Sequence, residues 1–311
     1  MRVVTTLPSA TELVAALGVD PVGVSHSCDY PPRVADRPRI TSAAIDTEAS
    51  TAEIDRQVLD ADTDGGVYDV DAETIERLDP DVIVTQGVCD VCAVDTVLVA
   101  DAVERIDAEP EIVTIDSHTV AGVFDDLERL GHVLGRADRA RTVRADLEAR
   151  LEAVRERTPD EPDARPSVAV FDWTDPVMVA AHWVPELVEI AGGRYELAEA
   201  GSDSRPREWA ELRSADPDAL VVAPCGYDLA QTAENLGDLT DRPGWGELAA
   251  VEGGRVWAVD GNHYLNRPGP RLVDAAETIA RLLHPDRFDA DDTPDASVAR
   301  PLSALQTGPS A

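Results

Sequence analysis

The sequence predicts an α/β protein of two lobes, each built on a parallel sheet, joined by one long helix and leaving a ligand cleft between them. Three observations carry this. Apolar β-branched runs alternate with helical periods in both halves of the 311 residues, and two helical periods, the second long and unbroken, lie between the halves. The loops that follow the apolar runs are rich in Cys, His, Trp, Tyr and Asp: Ser25–Tyr30, Thr85–Cys92, Asp172–Trp173, Pro224–Tyr227 and Asp260–Tyr264. In a parallel sheet such loops gather at the carboxyl edge, where ligands bind, so two halves predict two facing edges.

The first half opens with a strand over Arg2–Thr6 and a helix from Pro8, in which Leu13, Ala16 and Leu17 face inward until Gly18. Ser9 and Glu12 have the spacing of a capping box. Strands are predicted over Val22–Val24, Val82–Val84 and Ile112–Ile115, with helices near Ser50–Leu59 and over Asp71–Leu78, the second broken by Asp79-Pro80. Between the halves one helix runs over Thr119–Leu134 to Gly135, and a second over Ala137–Arg157 to the Pro159–Pro162 break. At 1.5 Å per residue the second is roughly 30 Å long, enough for a strut between lobes.

The second half restarts the alternation. Strands are expected over Ser167–Phe171, Leu220–Ala223 and Arg255–Val259, and helices over Val184–Ala191, Arg207–Ala215, Ala230–Leu239 and Gly269–Leu283. After Pro285 the chain is rich in Asp, Ala and Pro and lacks period, which predicts a solvated, disordered acidic tail over 286–311. The expected domains are therefore 1–118, a helical region over 119–158, 159–285 and that tail.

Composition limits the partners. With 61 acidic against 27 basic residues the formal net charge is −34, and every fixed cation is an arginine because lysine is absent. Such a surface repels nucleic acid and anionic lipid. The acids are spread along the chain, which reads as halophilic adaptation to a high-salt cytosol rather than as a patch for one cationic partner. No run of about 18 apolar residues occurs, so no membrane insertion is expected. Met1-Arg2-Val3-Val4-Thr5 enters a strand directly, without the regions of a secretory signal, which predicts a cytoplasmic protein as encoded and an extracytoplasmic one only if the start codon is misassigned.

Four cysteines in a reducing compartment are expected as thiols. Cys89-x-x-Cys92 follows a strand and opens a helix, where the backbone lowers a thiol pKa. It reads as half of a transition-metal site, a redox pair, or two small half-buried residues in a tight loop. His26-x-Cys28 lies on a neighbouring loop, so His26, Cys28, Cys89 and Cys92 form a candidate soft-metal set, with Cys225 and His263 available from the other half. Asp116, Asp172, Asp175 and Asp260 also stand at strand ends, as expected by chance in a chain this acidic. His118 and Ser117 are placed to cap the following helix, and His182-Trp183 to approach the cleft or anchor its helix. The glycine pairs lack a following Lys, so no phosphate loop is indicated.

Taken in order, several segments resemble the helical-backbone (class III) solute-binding proteins of ABC importers, in the cobalamin and iron-chelate branch. They are Leu7–Glu12, Val22–Ser25 with Cys28–Pro31, Leu78–Val84, Leu134–Ala137, Asp216–Val222 and Arg267–Leu272. The similarity covers about residues 2–284, and it rests on order and spacing rather than on any one segment. It implies two Rossmann-like lobes clamping a bulky ligand, no enzymatic activity, a cobalamin-like corrinoid or metal chelate as the bound molecule, and an ABC permease as partner. It places Tyr30 in the first-lobe wall and Trp173, Trp183, His263 and Tyr264 in the second. Tyr227, on the Cys225 loop, joins them as a ligand-binding candidate. Aromatic faces suit a flat macrocycle, because they bury area at small entropic cost and fix its orientation. The thiol and imidazole load and the missing export signal set this sequence apart, and they keep open a cytoplasmic metal-handling protein or metalloenzyme using the His/Cys cluster.

Overall fold

A computed structural model describes residues 1–61, 67–88, 94, 96–289 and 293–306. The chain divides into two compact units, Met1–Ser117 with Ala121–Asp146, and His118–Val120 with Leu147–Ala311. Among the described residues no helix is long and apolar enough to cross a membrane.

Unit 1 holds, in order, β1 (Val3–Thr5), α1 (Pro8–Ala16), β2 (Thr41–Ala43), α2 (Thr51–Ala61), β3 (Tyr68–Val70), α3 (Ala72–Leu78), β4 (Val82–Gln86), α4 (Thr96–Val103), β5 (Glu111–Ile115), most of α5 (Val120–Val133) and the first half of α6 (Ala137–Arg157). Three strands form a parallel sheet in the order β1-β4-β5, with Val4 beside Ile83 and Ile83 beside Ile112. Val4, Ile40, Ile75, Ile83 and Val99 pack one face of it. The predicted strand over Val22–Val24 is reduced to single bridges, Val4 to Gly23 and Val24 to Arg39. The predicted capping box does not form. Pro8 occupies the first turn, with its φ preset and no N–H to satisfy, so α1 starts ahead of Ser9 and draws both Ser9 and Glu12 into buried positions. The short antiparallel pair β2–β3 has no period long enough to be read from sequence.

Unit 2 holds the rest of α6, then β6 (Val168–Thr174), β7 (Val177–Val179), α7 (Val184–Ile190), β8 (Arg205–Pro206), α8 (Trp209–Ala215), β9 (Ala219–Val222), α9 (Leu229–Glu234), α10 (Gly237–Thr240), α11 (Ala249–Glu252), β10 (Val256–Val259), α12 (Leu272–Leu283), β11 (Ala299–Pro301) and α13 (Leu302–Gln306). The sheet order is β11-β10-β9-β6-β7-β8. β10, β9 and β6 pair parallel with one another, and the flanking pairs β10–β11, β6–β7 and β7–β8 are antiparallel, so the expected parallel core carries antiparallel flanks. The predicted helix over 230–239 breaks into α9 and α10, and the last predicted helix begins at Leu272 because Pro268 and Pro270 interrupt its first turn. Inside unit 2, Arg150 of α6 reaches α12, pairing with Asp274 and with Glu277 at 2.9 Å.

The expected solvated tail is corrected in part. Ala299–Pro301 pair antiparallel with Val259, Ala258 and Trp257, and Ala299 and Leu302 are buried. The described part of 286–306 thus finishes the sheet instead of leaving it.

One device appears in both units. α3 ends on Asp79 at φ 42° and α8 on Asp216 at φ 41°, each followed by Pro. This left-handed residue closes the helix, and the proline prevents its continuation. The aspartate after each proline then accepts the backbone N–H just ahead of a neighbouring strand, Arg2 N to Asp81 at 2.5 Å and Ser167 N to Asp218 at 2.8 Å.

Candidate functional site

At the carboxyl ends of β6, β9 and β10, unit 2 assembles a polar and aromatic rim. After β10 the chain makes one π-helical turn, Gly261–Leu265, a distortion that recurs at functional sites. Its backbone is pressed against the turn after β9, where a Cβ on Gly261 would lie 2.2 Å from the Pro224 carbonyl oxygen, so only glycine fits. Asn262 N donates to Tyr227 O at 3.0 Å, and Asn266 Nδ2 donates to the carbonyls of Ala223 and Gly261, both at 2.9 Å. The two turns are therefore one laced unit.

Asp260 lies buried at the head of this turn and fixes His263 twice. It accepts the His263 backbone N–H at 2.8 Å and the ring Nδ1–H at 2.7 Å. In the neutral ring that bond leaves the lone pair on Nε2, and the carboxylate fixes the orientation of the ring. Tyr264 lies under the Arg271 guanidinium, 5.5 Å from the ring centre. Trp173 and Tyr227 meet with ring centres 5.3 Å apart, and Trp173 Nε1 donates to Asp175 O. Trp173 is half-buried, whereas Tyr227 is buried, and burial with the nearby Asp238 raises its phenol pKa.

Beneath the rim, Asp172 occupies the irregularity where β6 shifts register against β7. Its Oδ1 is buried without a hydrogen-bond partner among the described residues. Burial pushes its carboxyl up to about 6, against a smaller opposing hydrogen bond from Ser204.

Trp183 is corrected from ligand wall to core anchor. It is 6 % exposed and its Nε1 donates to Leu265 O at 2.7 Å, which ties α7 to the π turn. The preceding His182 stacks on it at 5.5 Å and meets His118 with the Nδ1 atoms 3.2 Å apart. Burial, and then His118, hold His182 below the ordinary imidazole range. Ser117 hydrogen-bonds to Asp126, and the cap of α5 comes from Glu186 of α7, whose carboxylate accepts Val120 N at 2.6 Å.

The predicted metal set does not assemble from its described members. In unit 1 Cys28 is fully buried, its Sγ 3.0 Å from Thr11 Oγ1 and 3.2 Å from Ser25 Oγ, inside a hydroxyl network that continues to Thr5. His26 turns instead to Thr41, with Nδ1 2.9 Å from Oγ1, and lies beside Tyr68; burial and then Arg39 lower its pKa. Tyr30 is exposed. Cys225 of unit 2 is half-buried, and its backbone N–H donates to Asp172 O at 2.9 Å. Cys89 and Cys92 lie outside the described residues. Among the described residues the three donors that do converge are His118, His182 and Asp203, with ligand atoms within 4.8 Å of one another.

Trp173, Tyr227, His263 and Tyr264 thus share one edge of unit 2, as residues at successive strand ends should. The supporting Asn262, Asn266, Arg267 and Arg271 went unread as site residues, although the Asn and Arg cluster after β10 was visible. Arg267 is buried and donates to Asn262 Oδ1 at 2.8 Å.

A cobalamin-binding protein of Halobacterium salinarum is 25% identical over 288 residues, covering 91% of this chain and 69% of that one. An uncharacterized ABC transporter substrate-binding lipoprotein of Bacillus subtilis, YvrC, is 23% identical over 295 residues, covering 92% and 81%. The periplasmic vitamin B12 binding protein BtuF of Vibrio cholerae has the same fold, with a TM-score of 0.66, 20% identity and coverage of 93% of this chain and 98% of that one. Residues 3–262 match the family described as Periplasmic binding protein, and this chain belongs to that family.

Proposed function

We propose that this protein is the substrate-binding component of an ABC importer and that it captures a corrinoid or a related metal chelate. Family membership supports the binding role, and the cobalamin-binding relative from Halobacterium salinarum supports the ligand class. The observation that carries the chemistry is the unit 2 rim, where Trp173 and Tyr227 offer apolar faces beside a His263 ring whose Nδ1 is committed to Asp260. A flat macrocycle gains buried area on the aromatic rings, and the lone pair on His263 Nε2 is suited to the axial position of chelated cobalt or iron. Tyr264 and Arg271 border the same turn and supply polar contacts to the periphery of such a ligand. The importer role carries with it a permease partner and presentation outside the cytoplasm, which fractionation of the producing cells tests.

Titration with aquocobalamin, cobinamide and haemin in molar KCl is the direct experiment. Binding should quench tryptophan emission and shift the absorbance of the metal chelate. His263→Ala should abolish the shift that reports axial ligation while leaving quenching by Trp173, and Trp173→Leu should weaken binding about tenfold, near the 1.4 kcal/mol that one aromatic contact supplies. Absence of any response to all three molecules overturns the proposal.

A further inference from the structure

Besides Asp260 and His263, unit 2 brings together a second donor set that the binding role does not use. His118 lies in the short stretch His118–Val120 that belongs to unit 2, His182 stands just ahead of α7, and Asp203 lies in the loop before β8. The two imidazole Nδ1 atoms are 3.2 Å apart, and all three side chains offer ligand atoms within 4.8 Å of one another. A tetrahedral ion bound by nitrogen at about 2.0–2.1 Å places two of its ligand atoms about 3.3 Å apart. The His118–His182 spacing already has that value.

Each donor is held by something other than its companions. His182 has φ 51°, a left-handed conformation that is uncommon for a residue with a side chain, and it is locked there from both sides. Its N–H donates to Ser202 O at 2.8 Å and its carbonyl accepts Gly201 N at 2.8 Å, which ties the His182 backbone to the loop that carries Asp203. Its ring stacks on Trp183, itself anchored to Leu265. On the other side, Glu186 accepts Val120 N and so fixes the segment two residues beyond His118. Asp203 is exposed and only loosely engaged with Arg205, at 3.9 Å. Such an arrangement leaves the carboxylate free to turn inward at small cost.

We propose that His118, His182 and Asp203 form a binding site for a divalent transition-metal ion of the zinc and cobalt type, three-coordinate from the protein with a fourth position open to water or an exogenous ligand. Two imidazoles and one carboxylate are a borderline donor set that selects such ions over magnesium and calcium, which require oxygen ligands. Its donors are distinct from those of the His263 rim, and the site stands whether or not that rim takes a corrinoid.

The test is a Co²⁺ titration of the full chain in molar KCl, where screening suppresses loose association with the many surface carboxylates. One equivalent should bind with intense visible d–d bands of near-tetrahedral cobalt, lack thiolate-to-metal charge transfer, and be displaced by Zn²⁺. Ring proton resonances of His118 and His182 should broaden or shift in the unaltered protein, which gives a readout that needs no variant. His182→Asn, chosen because asparagine tolerates the left-handed backbone, and His118→Gln should each weaken binding by at least an order of magnitude, and Asp203→Asn by less, with near-ultraviolet circular dichroism unchanged. Absence of stoichiometric binding, affinity unmoved in folded variants, or charge-transfer bands assigning the ion to cysteine thiolates would each overturn the proposal.

Discussion

Asp172 carries a residue-level tension in unit 2. An aspartate on β6, half-buried as a residue but with one carboxylate oxygen fully buried and unpartnered among the described residues, has its pKa raised to about 6, whereas the unfolded chain releases that proton near 3.8. The unfolded state therefore ionises first as pH rises. The cost to the fold is absent below about pH 4, grows between 4 and 6 and is complete above 6. Asp172→Asn removes it and should raise stability at pH 7.5 by on the order of 2–3 kcal/mol, with little gain at pH 4. Urea unfolding at the two pH values checks this, and equal effects at both would refute it. The sequence shows an aspartate at a strand end but not its burial, because Asp172 owes its position to a register shift between β6 and β7 that only the assembled sheet defines. His118 and His182 were likewise visible but had no spacing to connect them. His263 and Trp173 were legible because the parallel-sheet rule alone puts strand-end side chains on one edge.

Among the elements, the repeated Asp-Pro-Asp corner has a function that can be measured. Hydrogen bonds from the Ser167 backbone N–H, then from its hydroxyl, hold the Asp218 carboxyl below the usual range. The contribution is present above about pH 4 and is lost as pH falls through the lowered pKa. Asp218→Ala should cost about 1 kcal/mol at neutral pH, the net value of a hydrogen bond in a solvated setting, and progressively less as the pH falls through the lowered pKa. The C-terminal strand gives a larger test. Asp260 N donates to Val298 O at 2.9 Å, so the segment ahead of β11 braces the residue that orients His263. A chain ended at Asp289 exposes the β10 edge and the burial site of Leu302, which should lower stability by about 2–4 kcal/mol and loosen ligand binding at the rim. Unchanged unfolding of that truncated chain would return these residues to the status of a solvated tail. α6 was read to its exact ends, because Gly135 and Pro159 punctuate an unbroken period. β11 was missed for the opposite reason. Ala299-Arg300-Pro301 has no strand propensity of its own, and proline is tolerated there only because β11 is an edge.

At the scale of the whole molecule, charge sets the conditions under which any of these sites operates. The 61 carboxylates outnumber the arginines by 34, and the arginines are already shared, as where Arg56 serves both Glu53 and Asp60 and Arg144 serves Asp125 and Glu128. The arginines therefore cannot neutralise the carboxylates one for one. In dilute buffer, with a screening length of about 10 Å, that repulsion acts across neighbouring elements, and at molar salt it falls to about 3 Å and is confined to adjacent side chains. The melting temperature should accordingly rise on the order of 10 °C between 0.1 and 1 M KCl, a gain of a few kcal/mol for a chain of this size. Most of the rise should fall below 1 M, where screening changes fastest, and it should be the same in NaCl. Surface exclusion predicts otherwise, a steady gain that continues above 1 M and is far larger in sulfate than in chloride. A melting temperature that stays flat or falls in chloride would show that the carboxylates are not in conflict and would remove the physical basis for reading the acidity as adaptation to salt.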